Sequence, residues 1–504
     1  MRHIEITDTT LRDGEQTNGV SFNTGEKLTI AKRLLTEVQV SRIEIASARV
    51  SKGEHEAAKK IIDWATQHGY LEKIEILGFV DNFRSIEWIQ SVGGACLNLL
   101  SKGSLKQLEG QLRKTPEQHV CDIANTVKRA NSLNISVNVY LEDWSNGMRQ
   151  SPDYVFFMIE ELSKLPIKRF MLPDTLGILF PKETYHFCKS IVEKFPHLHF
   201  DFHAHNDYEL AVANSMAAIN AGFHGVHTSV NGLGERTGNC TLSSIVPCIH
   251  DHYGLQTGVQ EIHLYDISKL VETISGIRVA YNKPIIGENV FTQTAGVHAD
   301  GDKKGDLYHN NLKPERFGRV RQYALGKTSG KANIEKNLEK LGLELEPEIM
   351  KLVTQKVVEL GDQKESLTTE DLPYIVREVL GTTETDTKVS IENYYVCNAK
   401  GLKPVATIKL NIEGTLYEET SAGDGQYDAV MKALHKIYAH RNSEIPKLLD
   451  YIVTIPPGGK TDALVETIIT WQTAEKTFKT RGLDSDQTAA AIKATVRMLN
   501  IIHE

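Results

Sequence analysis

The stretch "HIEITDTTLRDGEQ", residues 3–16, runs from a short strand-like segment, His3-Ile4-Glu5-Ile6, straight into a cluster of ionisable groups. Arg12 stands beside Asp13, with Asp8 and Glu15 close by. A solvated turn would explain such a cluster, and so would an active site at the end of a first barrel strand. The remainder of the chain separates the two.

Seven further strand candidates follow at 42–46, 73–79, 96–100, 135–141, 169–172, 199–203 and 225–230, after the first at 3–7. Amphipathic stretches such as "TGEKLTIAKRLLTEV" and "PDYVFFMIEELSKL" lie between most of them, with apolar residues at three- and four-residue steps. Strand–helix alternation means parallel strands joined by crossover helices. About eight repeats over some 250 residues predict an α/β fold, a closed (β/α)8 TIM barrel. The catalytic barrel is assigned to residues 1–265. A helical segment with a loop rich in Gly and His follows over 266–381. After the polar run "GTTETDTK" the text turns strand-rich, and the order strand–strand–strand–helix occurs twice. This internal duplication predicts a C-terminal α+β regulatory domain over 386–504.

With 504 residues, 40% hydrophobic and 24% charged, the chain is long enough for two or three domains. Its formal charge of −8, without a basic block, argues against nucleic acid or an anionic membrane as partner. No apolar run reaches the roughly 20 residues needed to span a bilayer, and no signal segment is read at the N-terminus. The six cysteines are scattered without a CxxC pair, as expected of buried free thiols in a reducing, cytoplasmic setting. "GKTSGK" (326–331) and "GGKT" (458–461) imitate a phosphate-binding loop. The glycine that loop requires five residues earlier is replaced by Arg321 and Thr454.

In a parallel barrel the active site lies at the C-terminal strand ends. Those ends carry Asp8, Arg12 and Asp13; Glu44 and Ser47; Tyr140 and Glu142; Asp174 and Thr175; His203 and His205; and Asn231 with "GLGERTGN" (232–239). "HAHND" is the sharpest signal. Residues two apart on a strand share a face, so His203 and His205 can turn one ring nitrogen each to a common point. With a carboxylate from another strand end they form a mixed N/O metal site, suited to Zn2+ or Mn2+ and less naturally to Mg2+.

"DTTLRDGEQ", "LPDTLG", "FHAHND", "NGLGERTGN" and "TAGVHADG", in that order, resemble the acetyl-CoA-dependent 2-oxoacid synthases (isopropylmalate, citramalate and homocitrate synthases). The likeness runs nearly end to end, and "SAGDGQYDA" (421–429) is similar to their feedback-regulatory domain. The resemblance implies that Asp13, His203, His205 and Asn239 hold a divalent metal chelated by the 2-oxoacid. Arg12 then lies beside the keto oxygen, and Thr175 holds the substrate carboxylate. Glu142, His298 and Tyr308 are candidates for the base that enolises acetyl-CoA. His298 and Tyr308 sit in a segment that, in this family, covers the partner subunit's barrel, which implies an obligate homodimer.

Leu77, Leu100 and Tyr140, at pocket positions on strands three to five, leave room for the methyl of pyruvate and crowd the isopropyl of 2-oxoisovalerate. Such overpacking costs roughly 1–3 kcal/mol. "VYLEDW", "EIASARVSKGE" and "FTQTAGVHADGDKKG" are most similar to citramalate synthases. Citramalate synthesis is therefore expected ahead of isopropylmalate synthesis, with isoleucine or leucine respectively as feedback effector at the C-terminal domain. No basic pocket for 2-oxoglutarate is seen. A lyase of the same barrel family is disfavoured by the C-terminal domain and by the lack of a lid cysteine; a non-catalytic amino-acid sensor, by the intact polar set.

Overall fold

The computed structural model describes residues 2–294, 310–341, 343–362, 367, 371–380, 388–454, 465–474 and 476–503. Eight strands, β1 (Glu5–Asp8), β2 (Arg42–Ser47), β3 (Ile74–Phe79), β4 (Cys96–Lys102), β5 (Ser136–Glu142), β6 (Ile167–Asp174), β7 (Phe200–Ala204) and β8 (Gly225–Thr228), pair in sequence order. The barrel closes where β1 pairs in parallel with β8, Thr7 opposite His227 and Asp8 opposite Thr228. Each strand falls within a few residues of its predicted place.

The crossover helices start where the sequence supplies caps. Asn23 accepts the N–H groups of Gly25 and Glu26 ahead of Thr24–Arg33, and Glu26 reaches back to the Asn23 N–H. Thr115, Pro116 and Gln118 open Pro116–Ser132 in the same way. Their apolar faces bury Ile30, Ile61, Ile123 and Val127 against the outward side chains of the strands.

Inside the barrel a polar layer replaces hydrocarbon. Arg42 reaches Glu75 at 2.9 Å and Asp201 at 2.7 Å, while Asn98 and Asn138 donate to Glu75 at 2.9 and 3.1 Å. All five side chains are buried. Buried charges persist only when paired and hydrogen-bonded, and here each carboxylate has several partners. The alternation of strand side chains places, two residues further along, Glu44, Leu77, Leu100, Tyr140 and His203 on the same face. The polar layer is thus the floor beneath the mouth-facing set.

The barrel's packing does not stop at residue 265. Helix Leu264–Ser275 buries Leu264, Ile267 and Val271 in the barrel core, and the compact unit continues to Thr292 and takes in the segment ending at Arg321. A second unit takes in Gln293 and then everything from Gln322 onward. Helices Lys331–Lys340, Pro347–Asp362 and Leu372–Val379 share a small core around Ile334, Val353 and Leu372. Beyond it lie two three-stranded antiparallel sheets, Val389–Cys397, Val405–Ile412 and Thr415–Ala422, then Lys447–Thr454, Val465–Gln472 and Thr477–Asp484. A helix follows each sheet, Gln426–His440 and Gln487–Ile502, which is the predicted duplication. No helix among the described residues is long and apolar enough to cross a membrane.

Candidate active site

After β1 the chain wraps into a tight turn. The carbonyl of Thr9 accepts the N–H groups of Arg12, Asp13 and Gly14 at 3.0, 2.8 and 3.1 Å. Behind it, the buried Lys27 ammonium donates to the Leu11 carbonyl at 3.1 Å and pairs with Glu15 and Glu54, each at 2.6 Å. Consecutive residues Arg12 and Asp13 are thereby presented together at the mouth. Asp8 is part of the support: buried, accepting the Thr10 N–H at 3.0 Å, its carboxyl pushed up to about 7 by burial.

Asp13 Oδ2 lies 3.1 Å from His203 Nε2 and 3.9 Å from His205 Nε2, and the two Nε2 atoms are 3.4 Å apart. All three residues are buried. Neither Asp13 oxygen takes a hydrogen bond. Burial pushes the Asp13 carboxyl up, but Arg12 and then the two histidines outweigh it and hold the group well below the carboxylate range. Burial lowers His203, and burial followed by the neighbouring His203 brings His205 down to about 4. One ionised carboxylate and two neutral imidazoles therefore face a common point, the donor set a divalent cation requires.

Asn239 joins them through the loop after β8. That loop returns antiparallel to the end of β7, with Asn239 opposite His205 and the Cys240 N–H donating to Ala204 at 3.0 Å. The Asn239 amide donates to the Leu233 carbonyl at 3.1 Å, leaving its buried Oδ1 without a partner. This unpaired oxygen fits a fourth ligand. A Cβ on Gly234 would come within 2.5 Å of Asn239 Nδ2. Gly234→Ala is expected to displace Asn239 and weaken metal affinity about 10–100-fold, measured by Mn2+ titration. Unchanged affinity would mean that Asn239 is not held from behind in this way.

Arg12 pairs through Nε with the fully buried Glu44, which also accepts from Asn98 at 2.7 Å. Its other nitrogens lie 3.4 Å from Asp13 Oδ2 and 3.4 Å from the Tyr140 hydroxyl. Burial would lower the guanidinium, but Glu44 and Asp13 raise it, so its charge is permanent. Beside it Leu77, Tyr140 and Met171, with Leu100 packed against them, form an apolar cluster separate from the main core. Met171, on β6, was not among the predicted pocket residues, which were drawn from strands three to five alone.

The Thr175 hydroxyl accepts the Asp143 N–H at 2.9 Å, and its carbonyl accepts from Arg236, which Asp207 holds at 2.8 Å. Glu142 is ion-paired with Lys102, its register partner on β4. His298 and Tyr308 lie outside the described residues. Cys240 is fully buried, its thiol pushed up to about 12 by burial, which leaves it inert as a nucleophile.

The fold and this site define a closed parallel barrel with a candidate divalent-metal cluster at its C-terminal mouth. Residues 3–271 match the HMGL-like family, 285–365 the homocitrate synthase post-HMGL domain-like family, and 366–503 the LeuA allosteric (dimerisation) domain. The chain is 33% identical over 503 residues to an (R)-citramalate synthase of Methanocaldococcus jannaschii, covering 99% of each chain. It is 32% identical over 505 residues to a 2-isopropylmalate synthase of the same organism, covering 99% of this chain and 94% of that one. The chain belongs to the HMGL-like family, in its branch of citramalate and isopropylmalate synthases, and is an enzyme of the acetyl-CoA condensation that branch performs. The nearly equal identities do not choose between the two substrates.

Proposed function

We propose that the protein condenses acetyl-CoA with pyruvate and that water then cleaves the thioester, releasing (R)-citramalate and CoA. The observation that carries this reading is the apolar cluster of Leu77, Leu100, Tyr140 and Met171 beside Arg12, walled by bulky side chains and suited to a methyl group. Asp13, His203, His205 and Asn239 are proposed to hold a divalent cation. Mn2+ and Zn2+ suit the mixed N/O donors better than Mg2+. When bound, the cation supplies Lewis-acid polarisation of the 2-oxoacid's keto group.

The chain's own residues do the rest. Arg12, fixed by Glu44, meets the negative charge that develops on the keto oxygen, and needs no reorganisation to do so. Thr175, oriented by the Asp143 N–H, directs its hydroxyl to the substrate carboxylate. Glu142, His298 and Tyr308 remain the candidates for taking the methyl proton of acetyl-CoA. The LeuA domain supports a homodimer under feedback control. A cavity of about 510 Å3, where the helices starting at Gln426 and Gln487 meet, is lined by Gly425, Tyr427 and Tyr451, and we assign it to the effector amino acid. Isoleucine fits a citramalate role.

The test is release of free CoA thiol with pyruvate and 2-oxoisovalerate assayed side by side. Pyruvate is expected to be preferred by about tenfold or more in kcat/KM, the value of one or two misfitted methylenes. A preference for 2-oxoisovalerate would overturn the substrate and make the protein an isopropylmalate synthase, the reading its second relative supports.

A further inference from the structure

His227, on β8, is fully buried and plays no part in the chemistry described so far. Its Nδ1 lies 3.0 Å from the Tyr140 hydroxyl. Its Nε2 lies 3.6 Å from Asp201, an electrostatic contact beyond hydrogen-bond length. Asp201 is itself fixed by Arg42 at 2.7 Å and His199 at 2.9 Å. A carboxylate on the Nε2 side favours the proton there, which leaves Nδ1 as the acceptor. The Tyr140 hydroxyl then donates to His227, and its oxygen faces the Arg12 guanidinium at 3.4 Å.

This chain of contacts has a consequence for the pocket. A buried phenol needs a partner for its hydroxyl, and the partner's position fixes the plane of the ring. With the hydroxyl occupied by His227 and Arg12, the carbon face of Tyr140 is what remains against Leu77 and Met171. The His227 ring is edge-on to Tyr140, with centroids 5.5 Å apart, so it also blocks the ring from swinging towards β8.

We propose that His227 is a positioning residue for substrate size: backed by Asp201, it pins the Tyr140 ring across the pocket so that only a 2-oxoacid with a methyl-sized side chain fits well. The proposal rests on the pyruvate reading above and adds the device that enforces it. The residue acts through Tyr140 and touches no reacting atom.

The test compares kcat/KM for pyruvate, 2-oxobutanoate and 2-oxoisovalerate in the full-length protein and in His227→Leu, Tyr140→Phe and the double variant. Each single variant is expected to lower the pyruvate-to-2-oxobutanoate ratio about tenfold, with the KM for acetyl-CoA unchanged. The double variant should match Tyr140→Phe, which already removes the His227 contact. His227→Asn, whose Oδ1 can take the place of Nδ1, should restore much of the ratio. Equal losses for all three oxoacids, or an unchanged ratio in Tyr140→Phe, would overturn the proposal. Tyr140→Phe keeps the ring and carries the test if His227→Leu does not fold. A wild-type preference for 2-oxoisovalerate would sink the substrate reading and this proposal with it, whereas a wild-type preference for pyruvate with an unchanged ratio in Tyr140→Phe sinks the proposal alone.

Discussion

Asp13→Asn is expected to lower kcat/KM for thiol release by two to four orders of magnitude and to yield protein that retains little divalent metal. The substitution keeps the shape and one oxygen donor but removes the only negative charge among the four proposed ligands. Losing the charged partner of a buried electrostatic site costs about 3–5 kcal/mol, which converts to that range of rates. The fold should survive, because Arg12 keeps its pairing with Glu44 and the turn is held by the Thr9 carbonyl and by Lys27. Metal content after dialysis, read together with activity across a Mn2+ titration, checks it. Activity within tenfold of wild type at limiting metal would remove Asp13 from the ligand set.

Arg12→Lys is expected to cost about 10²–10³-fold in kcat while leaving the KM for the 2-oxoacid within a few-fold. Arg12 uses Nε for Glu44 and its remaining nitrogens towards Asp13 and Tyr140. A lysine ammonium cannot engage Glu44 and still face the keto oxygen, so the substitution is not conservative here. Removing one preorganised donor from an oxyanion site has an effect of this size, roughly 2.7–4 kcal/mol. Steady-state kinetics that separate kcat from KM decide the point. A loss confined to KM would make Arg12 a substrate anchor that does not distinguish the transition state.

The pairing of His203 with His205 was legible because it follows the local two-residue period of a strand, whereas Asp13 and Asn239 entered the candidate set through the family resemblance. The eight strands were legible for a related reason, since alternation of short apolar runs with helix-period stretches leaves few other folds. The polar floor was not foreseen, although "RIEIAS", "FDFHA" and "SVNVYLE" carry its residues at every second place. Charges inside a strand read as an outward face unless their partners are known, and Arg42 finds Asp201 only across the closed barrel. His227 escaped for the same reason. Its partners stand on β5 and β7, and nothing in "GVHT" announces them. Helix Leu264–Ser275 packs into the barrel core, which the period of its apolar residues does not announce.

If Asp13, His203, His205 and Asn239 hold the metal at which a 2-oxoacid is condensed with acetyl-CoA, as proposed, thiol release depends on that metal. The most direct measurement is thiol release by chelator-stripped, full-length protein, with and without pyruvate, as Mn2+ is added back. No release is expected without metal, none without the oxoacid, and saturable release with both. Release that ignores the metal, or none with any 2-oxoacid in fully loaded protein, would contradict that assignment.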